Sequence, residues 1–324
     1  MMYNYSYFSV EMSAEAFASV NVPFSAVSVL LNIFFIYCMV VPQQGAEQLK
    51  DPLKVLLGSL IGCNIIIHSC SFLIVLTDFV LYKIFPNWFT SYVLHNLTLS
   101  VMMYTVMTII TSCYWRNVFY FCQIVPLQHS VFIWFKRNMR GLIRSALILS
   151  SIFCLFGMAV SAAYEIVIFN LYIAYNSSDD AMNALFNALQ VKEIILVGFW
   201  IRVGIFLLSL CVMLSSSCAV VLYLWRHMKN MEDSGLISPS LQRRIKMTIT
   251  GITMQVLLHF LCSDGLIIFQ IITQYSDVDV DWNGNILCTI ISLYSFGTTV
   301  NMMVGQSLFR QRAVHAWRKL LQSL

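Results

Sequence analysis

Residues 194–224 read IILVGFWIRVGIFLLSLCVMLSSSCAVVLYL, an apolar run with one charged residue, Arg202. As a helix rising 1.5 Å per residue it is roughly 45 Å long, more than the ~30 Å hydrocarbon core of a bilayer requires. Six comparable runs accompany it: Phe17–Val41, Val55–Leu76, Leu97–Phe121, Ala146–Phe169, Met247–Thr273 and Ile286–Val304. With 59% hydrophobic residues, 10% charged and a mean hydropathy of +0.76, the 324-residue chain falls outside the range of soluble domains. The expected fold is an all-α membrane protein, a bundle of seven transmembrane helices. Its expected parts are an N-terminal segment 1–16, a membrane domain 17–304, and a short amphipathic helix and tail 305–324.

Positive charge fixes the expected orientation. Of the 19 Lys and Arg residues, only Lys83, Lys192 and Arg202 lie outside one alternating set of loops and helix ends. That set runs from Lys50 and Lys54, through Arg116 and Lys136 to Arg144, then Arg226 to Lys246, to Arg310 and Lys319. The opposite loops hold acids such as Glu11, Asp78, Asp179, Asp277 and Asp281. The amino terminus is therefore expected outside and the carboxyl terminus in the cytoplasm, with the plasma membrane as the location. The net charge of +4 reads as a topology signal and not as a nucleic-acid footprint. Sequons at Asn4 and Asn176 fall on the expected outer side, where glycan transfer operates, whereas Asn96-Leu97-Thr98 sits too close to the third helix. The first 16 residues lack a basic segment before a short apolar stretch, so the first helix is expected to act as its own signal anchor.

Ten cysteines lie almost all within the apolar runs or at their inner ends, Cys288 alone near the outer surface. No partner exists for a disulfide between the second outer loop and the third helix, and the cysteines read as small apolar packing residues. No zinc spacing, phosphate loop or soluble domain able to house an active site is present, so an enzyme and a cofactor are both unexpected. The six prolines are expected in loops or helix starts, leaving Gly251, Gly265, Gly297 and Gly305 as places to bend.

Each polar residue inside the membrane is costly unless it is paired or wetted. Arg202 and Asp264 are expected at similar depth on helices 5 and 6, where they could form an ion pair serving either as a ligand-pocket wall or as an interhelical clamp. Glu165 and His259 also stand out. Asn32, Asn64, His68, Gln255 and Asn301 are expected to hydrogen-bond between helices. Too few acids line any one path for a proton relay or ion channel, and neither inverted repeats nor interrupted half-helices are evident, which disfavours transport.

At the end of helix 5 the chain reads Leu224-Trp225-Arg226-His227-Met228-Lys229-Asn230-Met231, and the next loop holds Ser238-Pro239-Ser240. Helix 3 ends in Phe119-Tyr120-Phe121, followed by Phe132-Ile133-Trp134-Phe135-Lys136, and helix 7 carries Tyr294, Gly297, Gly305 and Arg310-Gln311. These motifs and their spacing resemble the type 2 taste (bitter) receptors. That resemblance implies a G-protein-coupled receptor that binds a small-molecule tastant between helices 3, 5, 6 and 7 and activates a heterotrimeric G protein of the gustducin type. Tyr120, Lys136, His227, Lys229 and Arg244 are the residues expected to face the G protein, with membrane lipids as the competing partner of the basic ones.

Departures from the family pattern are concentrated in the ligand region. Ser295 and Thr298 stand where the family has proline and histidine, Gly305-Gln306 replaces Gly-Asn, and Met102 and Val106 occupy positions where many mammalian members have Trp and Asn. The tentative ligand-binding set is Met102, Val106, Arg202, Asp264 and Cys288, around a mostly apolar cavity suited to an uncharged or weakly polar molecule. The runner-up readings are a vomeronasal type 1-like pheromone receptor and, further off, a small-solute transporter.

Overall fold

The computed structural model describes residues 10–41, 51–81, 88–126, 128–175, 181–234, 238–275, 281 and 283–323. Among them, eight α-helices follow one another. They are α1 Ala14–Val40, α2 Asp51–Leu76, α3 Trp88–Ile124, α4 Ser130–Tyr175, α5 Ala181–Asp233, α6 Pro239–Tyr275, α7 Asn285–Gly305 and α8 Ser307–Ser323. A π-helical turn, Thr77–Leu81, prolongs α2. The first seven are long and apolar enough to cross a membrane. The end of the bundle that holds the start of α1 is termed the amino end, and the end from which α8 departs the carboxyl end.

Every apolar run becomes a helix, but α3, α4, α5 and α6 outrun theirs. Lys136, Arg137, Arg140 and Arg144 lie on the first turns of α4, where straight-chain basic residues sustain a solvated helix as well as they would a loop. Arg140 Nη2 reaches Asp51 Oδ2 of α2 at 2.9 Å on the exposed surface. The expectation that prolines stay at loops and helix starts fails at Pro23, which lies inside α1. Proline is tolerated in membrane helices more readily than in soluble ones. Asn4 and Asn176 lie outside the described residues.

At the amino end, α7 is anchored by a chain reversal. Asp281, at φ 53°, and Gly284, at φ 64°, turn the backbone through the left-handed region. The Asp281 carboxylate then accepts from the Ile286 and Leu287 amides at 2.9 and 3.0 Å, capping the helix start. Burial pushes this carboxyl's pKa up, and the capping amides hold it back. Met12 O accepts from both Asn283 and Asn285, which ties the N-terminal segment to the same corner.

Within the bundle, α1, α2 and α7 are joined by a polar seam. Thr299 Oγ1 accepts from Asn32 and Asn64, each at 3.1 Å. Ser295 and Thr298 donate to Asn64 Oδ1 at 2.8 and 3.2 Å. Ser25 shares a hydrogen bond with His68 Nδ1, Asn21 donates to Thr289, and Ser71 bonds Ser292 at 2.7 Å. Ser25, Ser28, Asn32, Asn64 and His68 are fully buried, so this network holds helices together where water cannot compete. All ten cysteines are free. After the extended Gln306, α8 turns aside; Phe309 is buried and stacks on Phe35 of α1 at 4.3 Å, while Val314, Trp317 and Leu321 are exposed on its apolar side.

Candidate functional site

A groove of about 280 Å³ opens between α3, α4 and α5 in the amino half of the bundle. Ser100 and Tyr104 of α3, Phe153, Phe156, Gly157 and Ser161 of α4, and Ile194, Gly198 and Arg202 of α5 line it, and Leu287 of α7 also borders it. Small residues make room. A Cβ at Gly157 would enter the Tyr104 ring, so the ring lies flat against the α4 backbone, and the Cys154 thiol bonds the Tyr104 carbonyl at 3.0 Å. The groove faces lipid: Phe156 is 63% exposed and Val197 58%, both on its rim.

Arg202 is the cation of the site. Its Nη1 donates to Tyr104 Oη at 3.2 Å, its guanidinium carbon lies 5.7 Å from the Tyr104 ring centroid, and its buried Nε has no hydrogen-bond partner. The ion pair with Asp264 expected from the sequence is not formed among the described residues: Arg202 turns toward α3, and Asp264 sits half-buried on α6. Equal depth on neighbouring helices brought neither side chain round to face the other. Glu165, the other acid expected within the span, bonds the Asn96 amide and does not line the groove.

Of the five expected ligand residues, Arg202 lines the groove. Met102, Val106 and Cys288 are fully buried in the hydrophobic core, one helix face away. The groove residues that sequence reasoning missed are Tyr104, Gly157, Ser161 and Gly198. Their signal was local and faint: Gly157 and Ser161, like Gly198 and Arg202, are one turn apart and share a face, but nothing in the sequence says which faces meet.

A second polar centre lies in the carboxyl half. Arg116, counted from the sequence among the charges of the cytoplasmic loops and helix ends, is inside α3 and only 4% exposed. The flanking Ser112, Asn117 and Phe119 are buried as well, so this side of α3 is turned into the bundle. Arg116 Nη2 donates to Gln255 Oε1 of α6 at 2.7 Å. The Asn301 amide of α7 lies 2.7 Å from the same oxygen, and in its reversed orientation donates to the Gly251 carbonyl at 3.0 Å, so either way it ties α7 to α6. Gly251 and Gly305 let these helices touch; a Cβ at Gly251 would stand 3.2 Å from the Gly305 Cα. One turn from Arg116, Tyr120 Oη accepts from Gln306 at 2.7 Å. Asn117 donates to Ser217 of α5. Higher up, His259 joins α5, α6 and α7 through Ser209 at 3.0 Å and Tyr294 at 3.5 Å.

The remaining residues expected at the inner rim are exposed. Lys136, His227, Lys229 and Arg244 all reach solvent at the carboxyl end. His227 stacks on Tyr223 at 6.2 Å, and Lys229 lies 5.9 Å over the Trp225 ring, both one-turn contacts that hold the side chains against the helix.

A buried arginine facing an apolar groove at one end and a three-helix polar junction at the other suit a membrane protein that binds a small molecule and changes helix packing. No metal-ligand cluster occurs among the described residues. The sequence was also matched as a whole. Residues 11–321 fit the model of the taste receptor protein (TAS2R) family, a family of receptors and not of enzymes, and this decides against the vomeronasal and transporter readings. The chain is a multi-pass membrane protein that belongs to the taste receptor protein family.

Proposed function

We propose that this receptor sits in the plasma membrane with its amino end outside, detects bitter small molecules, and activates a heterotrimeric G protein of the gustducin type. The observation that carries the reading is the Arg116–Gln255–Asn301 junction, set one turn inside Tyr120 and the exposed rim of Lys136, His227, Lys229 and Arg244. In this reading the junction that binds α3, α6 and α7 by a few hydrogen bonds is the switchable element, closed here and parted in the active state.

Ligand captured in the amino half acts on it by differential affinity. A molecule that binds the parted state better shifts the population toward it; a shift from 1:99 to 99:1 requires about 5.5 kcal/mol of preference. Net interhelical hydrogen bonds in membranes contribute on average about 0.6 kcal/mol each, so loosening this junction lies within the reach of one ligand. Parting α6 from α3 and α7 frees Tyr120 from Gln306 and widens the rim for a G protein. Basic rim residues favour an acidic partner surface on the cytoplasmic side, consistent with the charge asymmetry. Asn176, and Asn4 with it, would carry glycans on the outer side.

The test is calcium release in cells coexpressing this chain with a gustducin-type G protein, challenged with a panel of bitter compounds. A reproducible response absent from mock-transfected cells is expected. Silence from cells with confirmed surface receptor overturns the bitter reading.

A further inference from the structure

We propose that the groove between α3, α4 and α5 is a side-entry site for a lipophilic monoanion: an arylalkyl carboxylate held by Arg202 and Tyr104, with its apolar body against Phe153 and Phe156. The inference deepens the receptor reading, on which it rests, by naming the ligand class and its route.

Charge comes first. An arginine inside the membrane is expensive, and such residues are ordinarily paired or face water. Arg202 has neither a carboxylate partner nor a full set of acceptors among the described residues: Tyr104 supplies one hydroxyl and a ring face, and the buried Nε remains unbonded. No Asp or Glu lines the groove. A ligand carboxylate would provide both the missing counter-charge and the acceptors of a planar, multi-donor group, and such charge-assisted bonds are about twice as strong as neutral ones. This differs from the uncharged or weakly polar ligand expected from the sequence for a mostly apolar cavity edged by Arg202 and Asp264.

Shape and access come next. The other walls are aliphatic and aromatic, and the volume of about 280 Å³ suits a small amphiphile. The rim side chains Phe156, Val197 and Ile201 are exposed on the lipid-facing surface, so a molecule dissolved in the bilayer meets the opening without crossing the bundle. Depth selects among anions. Counted from the start of the third apolar run at Leu97, Tyr104 lies roughly 10 Å inside at 1.5 Å per residue, about a third of the way through the hydrocarbon core. The headgroup of a resident phospholipid stays at the interface, whereas the carboxylate of a free lipophilic acid can descend to Arg202.

The experiment uses purified full-length receptor in lipid nanodiscs, with thermal unfolding followed in the presence of 6-phenylhexanoic acid, its methyl ester or 6-phenylhexylamine. The acid is expected to raise the midpoint and the ester and amine are not. Arg202→Gln should weaken apparent affinity for the acid about tenfold or more, while Arg202→Lys retains part of it. Gly198→Leu, whose Cβ has room 3.6 Å from Arg202 Nη1, should block the acid by filling the groove while keeping the charge. Equal shifts from acid and ester, no shift from the acid, or an acid shift untouched by both Arg202→Gln and Gly198→Leu would each overturn the site. Calcium responses to neutral bitter compounds, recorded on the same variants, separate the two readings: if they persist while the acid fails to bind, the anion site is wrong and the receptor reading stands.

Discussion

Two polar regions of the bundle differ in what they bury, one a network of neutral groups and the other a single charge. In the α1–α2–α7 seam the buried groups are neutral and bond across neighbouring helices, Thr299 accepting from both Asn32 and Asn64, and only Asn32 Oδ1 and His68 Nε2 among the described seam residues keep no partner. In the amino-half groove a single arginine leans on one tyrosine and leaves a donor unused. Satisfied networks rigidify a fold, whereas an unsatisfied buried charge is a reservoir of binding energy. The seam therefore reads as scaffold, and the groove as the part left unfinished for a ligand.

The largest effect is expected outside both regions, at the close α6–α7 contact. Gly251→Val places branched methyls where only a Gly305 backbone atom can yield, an overpacking cost of about 3 kcal/mol; little receptor should survive extraction, as read by fluorescence size-exclusion chromatography. If Gly251→Val is tolerated, the carboxyl half is looser than its contacts imply. Asn64→Ala removes interhelical bonds to Thr299, Ser295 and Thr298 and should cost about 2 kcal/mol, seen as a lowered unfolding midpoint without ligand. The smallest effect belongs to the groove. Arg202→Gln should change ligand-free stability by less than about 1 kcal/mol in either direction, because it removes an uncompensated charge along with one hydrogen bond. A large loss of stability in that variant would make Arg202 a clamp and erase the distinction between the two regions.

Much of the architecture was legible because the bilayer imposes a one-dimensional rule, and every apolar run became a helix. The interhelical bonds expected of Asn32, Asn64, His68, Gln255 and Asn301 are formed, since polar side chains that deep have no other escape. The groove was not legible in the same way. Pro23 was misread because a membrane helix forgives what a soluble one does not, and the burial of Arg116 because position along a helix does not say which face the residue takes.

By itself, then, the sequence determined how many helices cross, the buried polar inventory, and the family to which the chain belongs, all of which depend on order along the chain. Tertiary structure alone decided that Arg202 meets Tyr104 and not Asp264, that Arg116 points into the bundle, and that the open groove lies between α3, α4 and α5. The reason is rotational. One residue turns a helix by about 100°, so partner choice depends on how each helix is set about its axis, and that is fixed only when the faces pack.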